Sequence, residues 1–259
     1  PPPPPFFFNH HPGNPHFCLS RGLGDVYKRQ RLHQIKRSYS FRKSDSSYIE
    51  TTIMIDHLDK IYGEKKESVE RYKKLYSVKD LSEMIKTYKN YYDFQGPLNN
   101  KNKINVIAEI KKASPSAGEI IKNYNPTEIA KSYAKAGATC LSVLTEEKNF
   151  KGKIEDIQDI KKEVKLPILC KDFIYDEYQL YLARAFGADA ILIILKGIGQ
   201  QHAVGLRMLA KDLGLAVIYE VHTTLEAKQI AGMKDVILGI NNRNLETLET
   251  NIKNTLDVY

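Results

Sequence analysis

Residues Val106–Gly118 read VIAEIKKASPSAG. The mainly apolar run Val106 to Ile110 suits a short buried strand, and Ser114-Pro115-Ser116 breaks it. Side chains two apart in a strand point the same way, so Glu109 and Lys111 share a face while Ala108 and Ile110 take the other. A carboxylate and an ammonium at the end of a buried strand cost free energy unless they are paired or used. Taken alone, the two residues read equally well as a structural ion pair or as part of a site. Recurrence of the pattern decides between them.

Working outward, strand-like runs occur at 106–110, 140–145, 168–172, 190–195, 216–221 and 236–241, with helical stretches between. Asn125-Pro126-Thr127-Glu128 offers a cap residue, a proline at the first helical position and an early acid, and Gly137 follows that helix. Asp176 and Gly187 bracket the next, and Thr223-Thr224-Leu225-Glu226 reads as a capping box. Six such β/α repeats with apolar strands imply a parallel sheet covered by helices. Two architectures fit, a doubly wound sheet or a (β/α)8 barrel. No Gly-rich phosphate loop follows the first strand, which weighs against a nucleotide-binding sheet.

The strand ends carry the chemistry. The first ends with Glu109 and Lys111, the third with Lys171-Asp172, the fifth with Glu220, the sixth with Asn241 and Arg243. Any one of these alone reads as an ion pair or loop anchor. Ionisable and amide groups gathered at the C-terminal ends of parallel strands mark where a barrel keeps its site. Buried Lys and Glu close together also supply the shifted pKa values that acid–base work requires.

Composition bounds the function. The 259 residues are 42% hydrophobic and 27% charged, ordinary for a globular chain with a sizeable core. No apolar run approaches the ~20 residues of a membrane helix. Cys18, Cys140 and Cys170 have neither metal nor disulfide spacing and suit a reducing compartment. The net charge is +8, and residues 1–53, with 8 Lys/Arg and 3 Asp/Glu, account for +5 of it. The remainder is only mildly basic, so nucleic acid is not implied.

Residues 1–53 open on five prolines and show no helical or strand period, which reads as disorder outside any domain. Met54 is the first methionine, and DVYKRQ (25–30) looks like a translated sequencing-adaptor remnant. The rival reading takes the Arg/Ser-rich stretch 31–47 as an organelle transit peptide. His10 and His11 go with this segment and are not read as metal ligands. Residues 54–92 read as helical, with Ile55, Leu58 and Ile61 at helical spacing and a second helix opened by Ser77 that buries Leu81, Met84 and Ile85. The Lys and Tyr residues between Tyr62 and Tyr92 are interleaved with acids and read as a solvated helix face rather than an RNA-stacking surface. An Asn-rich link, Gly96–Asn105, leads into the first strand.

The segments AEIKKASPSAG, SVLTEEKNFKG, ILCKDFI, YEVH and LGINNRNL resemble, in order and spacing, the motifs of indole-3-glycerol-phosphate synthase over residues 54–259. The resemblance implies a (β/α)8 TIM barrel with extra N-terminal helices (54–92) and strands one to six over 106–259. It implies closure of an indole ring from 1-(2-carboxyphenylamino)-1-deoxyribulose 5-phosphate with loss of carbon dioxide and water, in tryptophan biosynthesis. Lys171 matches the general acid, Glu220 the residue given base-type work, and Glu109 the carboxylate that orients the lysines. Lys111 matches a lysine that contacts substrate and acts as a second acid. Ser114, Asn241 and Arg243 match residues at the anthranilate end, with Asn241 also supporting the catalytic groups. Phe150 matches an aromatic packed on the substrate ring. The resemblance implies no cofactor and no metal, a phosphorylated small-molecule substrate, no nucleic acid or membrane partner, and possible fusion to or association with other tryptophan-pathway enzymes. It implies a cytoplasmic protein, or an organellar one if residues 31–53 are a transit peptide.

One departure bears on the fold. The sequence given ends at Tyr259, about six strands into the family's eight. The seventh strand's Ser-Glu-Ser-Gly motif and the phosphate loops after strands seven and eight do not appear. An incomplete barrel exposes two strand edges, so the polypeptide as written is expected to fold poorly and to show little or no activity, as an incomplete gene read would. Two other readings stand beside the synthase. One is another phosphate-binding barrel such as phosphoribosylanthranilate isomerase, which lacks the EIKxxSPS and KDF combination. The other is a non-catalytic fragment completed by a partner chain.

Overall fold

Six short strands make one parallel sheet: β1 (Ile107–Ile110), β2 (Cys140–Leu144), β3 (Ile168–Lys171), β4 (Ala190–Ile194), β5 (Ala216–Val221) and β6 (Ile237–Ile240). The computed structural model describes residues 57–244 and 249–258. The readings of segment 1–53, His10 and His11 included, and of Ile55 lie outside the described residues. The strands pair in the order β1-β2-β3-β4-β5-β6, each neighbour parallel. A doubly wound sheet reverses its strand order at a switch point, whereas unbroken sequential order with helical crossovers is barrel winding. The choice left open by the repeats therefore falls to the barrel.

Each strand lies within a residue or so of its expected span. β2 and β4 are buried at every position, as apolar runs covered on both faces must be. β1 and β6 form the edges of the sheet and are more exposed, Leu238 reaching 41%. Alternation along β5 sets the site. Tyr219 turns outward, fully buried against helix Gln200–Asp212, where its hydroxyl donates to the Ala203 carbonyl at 3.0 Å. Glu220 consequently turns to the other face.

The helices are α1 (His57–Leu75), α2 (Val78–Thr87), α3 (Pro126–Lys135), α4 (Glu155–Glu163), α5 (Glu177–Ala185), α6 (Leu195–Ile198), α7 (Gln200–Asp212), α8 (Thr224–Ile230) and α9 (Asn254–Val258). Their start signals are read from the sequence as expected, with one difference. Asn125 Oδ1 accepts from the N–H groups of Thr127 and Glu128, and Asp176 forms a reciprocal box with Gln179. Thr223 accepts from the Glu226 N–H at 3.2 Å, but the Glu226 carboxylate accepts from the His222 N–H at 2.7 Å, so only half of that box forms. A short antiparallel pairing of Ala113–Ser114 with Gly118–Glu119 shapes the loop after β1.

The reading of the Lys/Tyr stretch as a solvated face is corrected for α1. Leu58, Tyr62, Lys65, Val69 and Tyr72 recur at spacings of three and four and are all buried, while the acids Glu67 and Glu70 face solvent. Sequence composition hid this because a lysine among charges looks ordinary. At the opposite end of the sheet, Lys161 of α4 pairs with Asp189, whose carboxylate also accepts from the N–H groups of Tyr92 and Ile168.

Candidate active site

The C-terminal strand ends hold two charge pairs. On β1 and just beyond it, Lys111 Nζ donates to Glu109 Oε1 at 2.5 Å, as their shared face requires. Across the sheet, Lys171 at the end of β3 donates to Glu220 Oε2 of β5 at 3.1 Å. Asn241 Nδ2, just past β6, donates to Glu220 Oε1 at 2.9 Å. The Glu220 carboxylate is only 7% exposed. Burial alone would raise it, and Lys171, the Asn241 amide and His222 together outweigh burial and hold it below its ordinary value. His222 Nε2 lies 3.6 Å from Glu220 Oε1, and Nδ1 lies 3.6 Å from Glu226 Oε2, beyond hydrogen-bond length in both cases.

Loops close over these pairs. Glu146, buried after β2, accepts from the backbone N–H groups of Lys148, Asn149 and Phe150 and so fixes the turn KNFKG. Gly152 allows that turn to press onto β2, since a Cβ there would come 2.1 Å from the Leu144 carbonyl oxygen. Phe150 then stacks tilted on Phe173 with ring centroids 6.1 Å apart, and Phe173 meets the edge of Tyr62 from α1 at 5.8 Å. At the other side Arg243 donates its N–H to Asn241 Oδ1 and its guanidinium to Ser116 Oγ at 3.1 Å, joining the loop after β6 to the loop after β1. Ser114 Oγ accepts from the Ala117 N–H at 3.2 Å. The strand ends and their loops thus present two ammonium groups, two carboxylates, an amide and a guanidinium, together with the Phe150–Phe173–Tyr62 aromatic cluster. Such a set can hold an anionic aromatic compound and move protons on it. Among the described residues no group of three or more His, Cys, Asp or Glu side chains could hold a metal ion.

The indole-3-glycerol phosphate synthase family model matches residues 58–259. The chain belongs to that family. Proteins named indole-3-glycerol phosphate synthase are similar to it along most of its length. One from Prochlorococcus marinus subsp. pastoris is 42% identical over 203 residues, covering 78% of this chain and 69% of that protein. Another, from Burkholderia lata, is 43% identical over 208 residues, covering 79% of each. A third, from Neisseria meningitidis serogroup C, is 40% identical over 208 residues, covering 79% of this chain and 80% of its own. The match favours the synthase over the isomerase as the identity of this barrel.

Set in the synthase family, the eight residues singled out in the sequence divide into three groups. Lys171, Glu220 and Asn241 form one bonded array; Glu109 and Lys111 form a second, with Glu109 bonding Lys111 and Glu220 bonding Lys171. Ser114, Phe150 and Arg243 lie on the surrounding loops, Arg243 reaching Ser116 rather than Ser114. Reasoning from sequence passed over Phe173, Tyr62, Glu146 and Lys65. Phe173 stands next to Asp172 in ILCKDFI, so its place after a strand end was a usable signal. Tyr62 and Lys65 carried none, because they come from α1, more than 100 residues before β3.

Proposed function

We propose that Lys171 and Glu220 carry the proton transfers by which this synthase closes the indole ring. As a member of the family the chain is a carboxy-lyase of tryptophan biosynthesis. Ring closure requires an acid to polarise and then protonate the ribulose carbonyl as the ring carbon attacks it and carbon dioxide leaves. Lys171 can supply that proton, being an ammonium held toward the interior by a carboxylate. Loss of water then requires one proton removed and another delivered to the departing hydroxide. Glu220 is kept ionised by its neighbours and is fit to accept the first; Lys111, oriented by Glu109, is placed to deliver the second. Phe150 packs on the anthranilate ring with Phe173 behind it, and Ser114, Arg243 and Asn241 hold the carboxylate end. Residues 54–259 constitute the synthase domain in this reading, and the setting is cytoplasmic, with fusion to or association with other enzymes of the pathway compatible with it.

The Lys171–Glu220–Asn241 array carries the proposal. Its test, in a protein that carries all eight strands of the family's barrel, is the fluorescence of indole-3-glycerol phosphate formed from the carboxyphenylamino substrate. Lys171→Ala and Glu220→Ala should each lower the rate by about 10²-fold or more. A Lys171→Ala protein that turns over within a few-fold of its parent would sink the assignment.

A further inference from the structure

We propose that Lys65 of α1 is a positioning residue for Lys171, acting through Asp172. Lys171 and Asp172 are consecutive and engage opposite sides: Lys171 bonds Glu220 of β5, while Asp172 bonds a residue of α1. Asp172 is 7% exposed and Lys65 is 6% exposed. Three donors engage both oxygens of the Asp172 carboxylate. Oδ2 accepts from Lys65 Nζ at 2.7 Å and from Thr145 Oγ1 at 2.6 Å, and Oδ1 accepts from the Phe173 N–H at 2.8 Å. Thr145 also donates its own N–H to the Lys171 carbonyl at 3.1 Å. The chain on the C-terminal side of Lys171 is thus pinned at its carbonyl, at the Asp172 side chain and at the next N–H.

Docking of α1 does not explain this pair. Arg71 and Tyr72 bond Glu147, Asn149 bonds Glu64, and Lys73 bonds Asp176, so α1 is already tied to the loops after β2 and β3 by contacts nearer the surface. Lys65 differs in being buried and in touching the residue that adjoins Lys171. Burial alone would lower its ammonium, and Asp172 outweighs that and holds it above its ordinary value. Without Lys65 the Asp172 carboxylate keeps its bonds from Thr145 and the Phe173 N–H but loses its counter-charge, and its neighbours Tyr62 and Cys170 supply no cation. The next ammonium along the chain is then that of Lys171, whose ion-pair partner is Glu220. A carboxylate without its counter-charge next to Lys171 in the chain favours the ammonium form of Lys171 through space.

The inference rests on Lys171 being the acid, so the test reads Lys171 itself and not turnover. The pH dependence of Lys171 acetylation by acetic anhydride is followed by peptide mass spectrometry in the same protein as the turnover assay, with thermal unfolding alongside. Lys65→Met should raise the Lys171 midpoint by about half a pH unit, or about threefold slower modification below it. Lys65→Arg should restore the parent midpoint, as should Lys65→Met combined with Asp172→Asn. If Lys65→Met does not fold, Asp172→Asn reads the same coupling with the opposite sign, since it leaves Lys65 unneutralised. A Lys171 midpoint unmoved by either single substitution, with only the unfolding temperature lowered, would overturn the proposal. An unimpaired Lys171→Ala protein in the turnover assay would instead remove Lys171's role as acid while the coupling stood.

Discussion

Glu220 shows how three neighbours set the charge of one buried carboxylate. Desolvation pushes it toward the neutral acid; Lys171, Asn241 and His222 push it back further. Its folded pKa therefore lies below its unfolded value. The stabilisation that follows is present above the unfolded pKa of about 4.3 and is lost as pH falls through the folded value. Glu220→Gln keeps the shape and removes the titration. Between pH 6 and pH 3, urea unfolding should show the parent losing more stability than the variant; equal slopes would mean the array does not hold Glu220 ionised. At this scale, legibility followed chemical incongruity. Glu109, Lys171 and Glu220 stand out because charge in an apolar strand demands a reason. Phe173 and Tyr62 did not stand out, since an aromatic beside a core needs none.

Elements follow a different rule, in which length decides what can be read. Strands β1 to β6 show as apolar runs that stop at polar or ionisable residues, and helices with a side-chain cap, such as α3, α5 and α8, show at their starts. The two-residue pairing inside ASPSAG and the four-residue α6 hold too few positions to display any period. Caps have consequences that can be measured. Asn125 satisfies two of the donors at the start of α3 that the helix itself leaves unpaired, ahead of Pro126. Asn125→Ala should cost about 1 kcal/mol in urea unfolding and leave the Lys171 midpoint where it was. The half-formed box at α8 has its own reason. Glu226 is drawn one residue upstream to the His222 N–H, which ties the helix start to the strand end that carries Glu220. α1 illustrates the limit of reading elements singly. Its amphipathic period is visible in the sequence, yet what its buried face touches depends on strands far along the chain.

Among the described residues, buried ion pairs lie at the two ends of the sheet, with the apolar strands between them. One end carries Lys171, Glu220 and Lys65; the other carries Lys161 and Asp189, which precedes β4. The Lys161 and Asp189 side chains are fully buried, and Arg184 lies 3.9 Å from Asp189 with its guanidinium over the ring of Tyr91. This cluster joins the segment after α2 to the barrel through the Tyr92 N–H and the Asn90 carbonyl, which accepts from Lys161 at 3.2 Å. Burial pushes the Lys161 ammonium down to about 8 even with Asp189 beside it, so the pair resists the interior and depends on its partners being complete. Asp189→Asn keeps an acceptor oxygen but removes the charge that holds Lys161 ionised, so the ammonium must shed its proton or stay buried without a counter-charge. The cost should be about 3–5 kcal/mol in urea unfolding, and Lys161→Met added to it should return part of the loss by removing the stranded charge. Because no shared partner among the described residues links the two ends, their effects should be independent. Under conditions where Asp189→Asn remains folded, its Lys171 acetylation midpoint should match the parent's. A shifted midpoint would show that the lower cluster reaches the chemistry after all, and that stability and proton transfer are not separately built into this barrel.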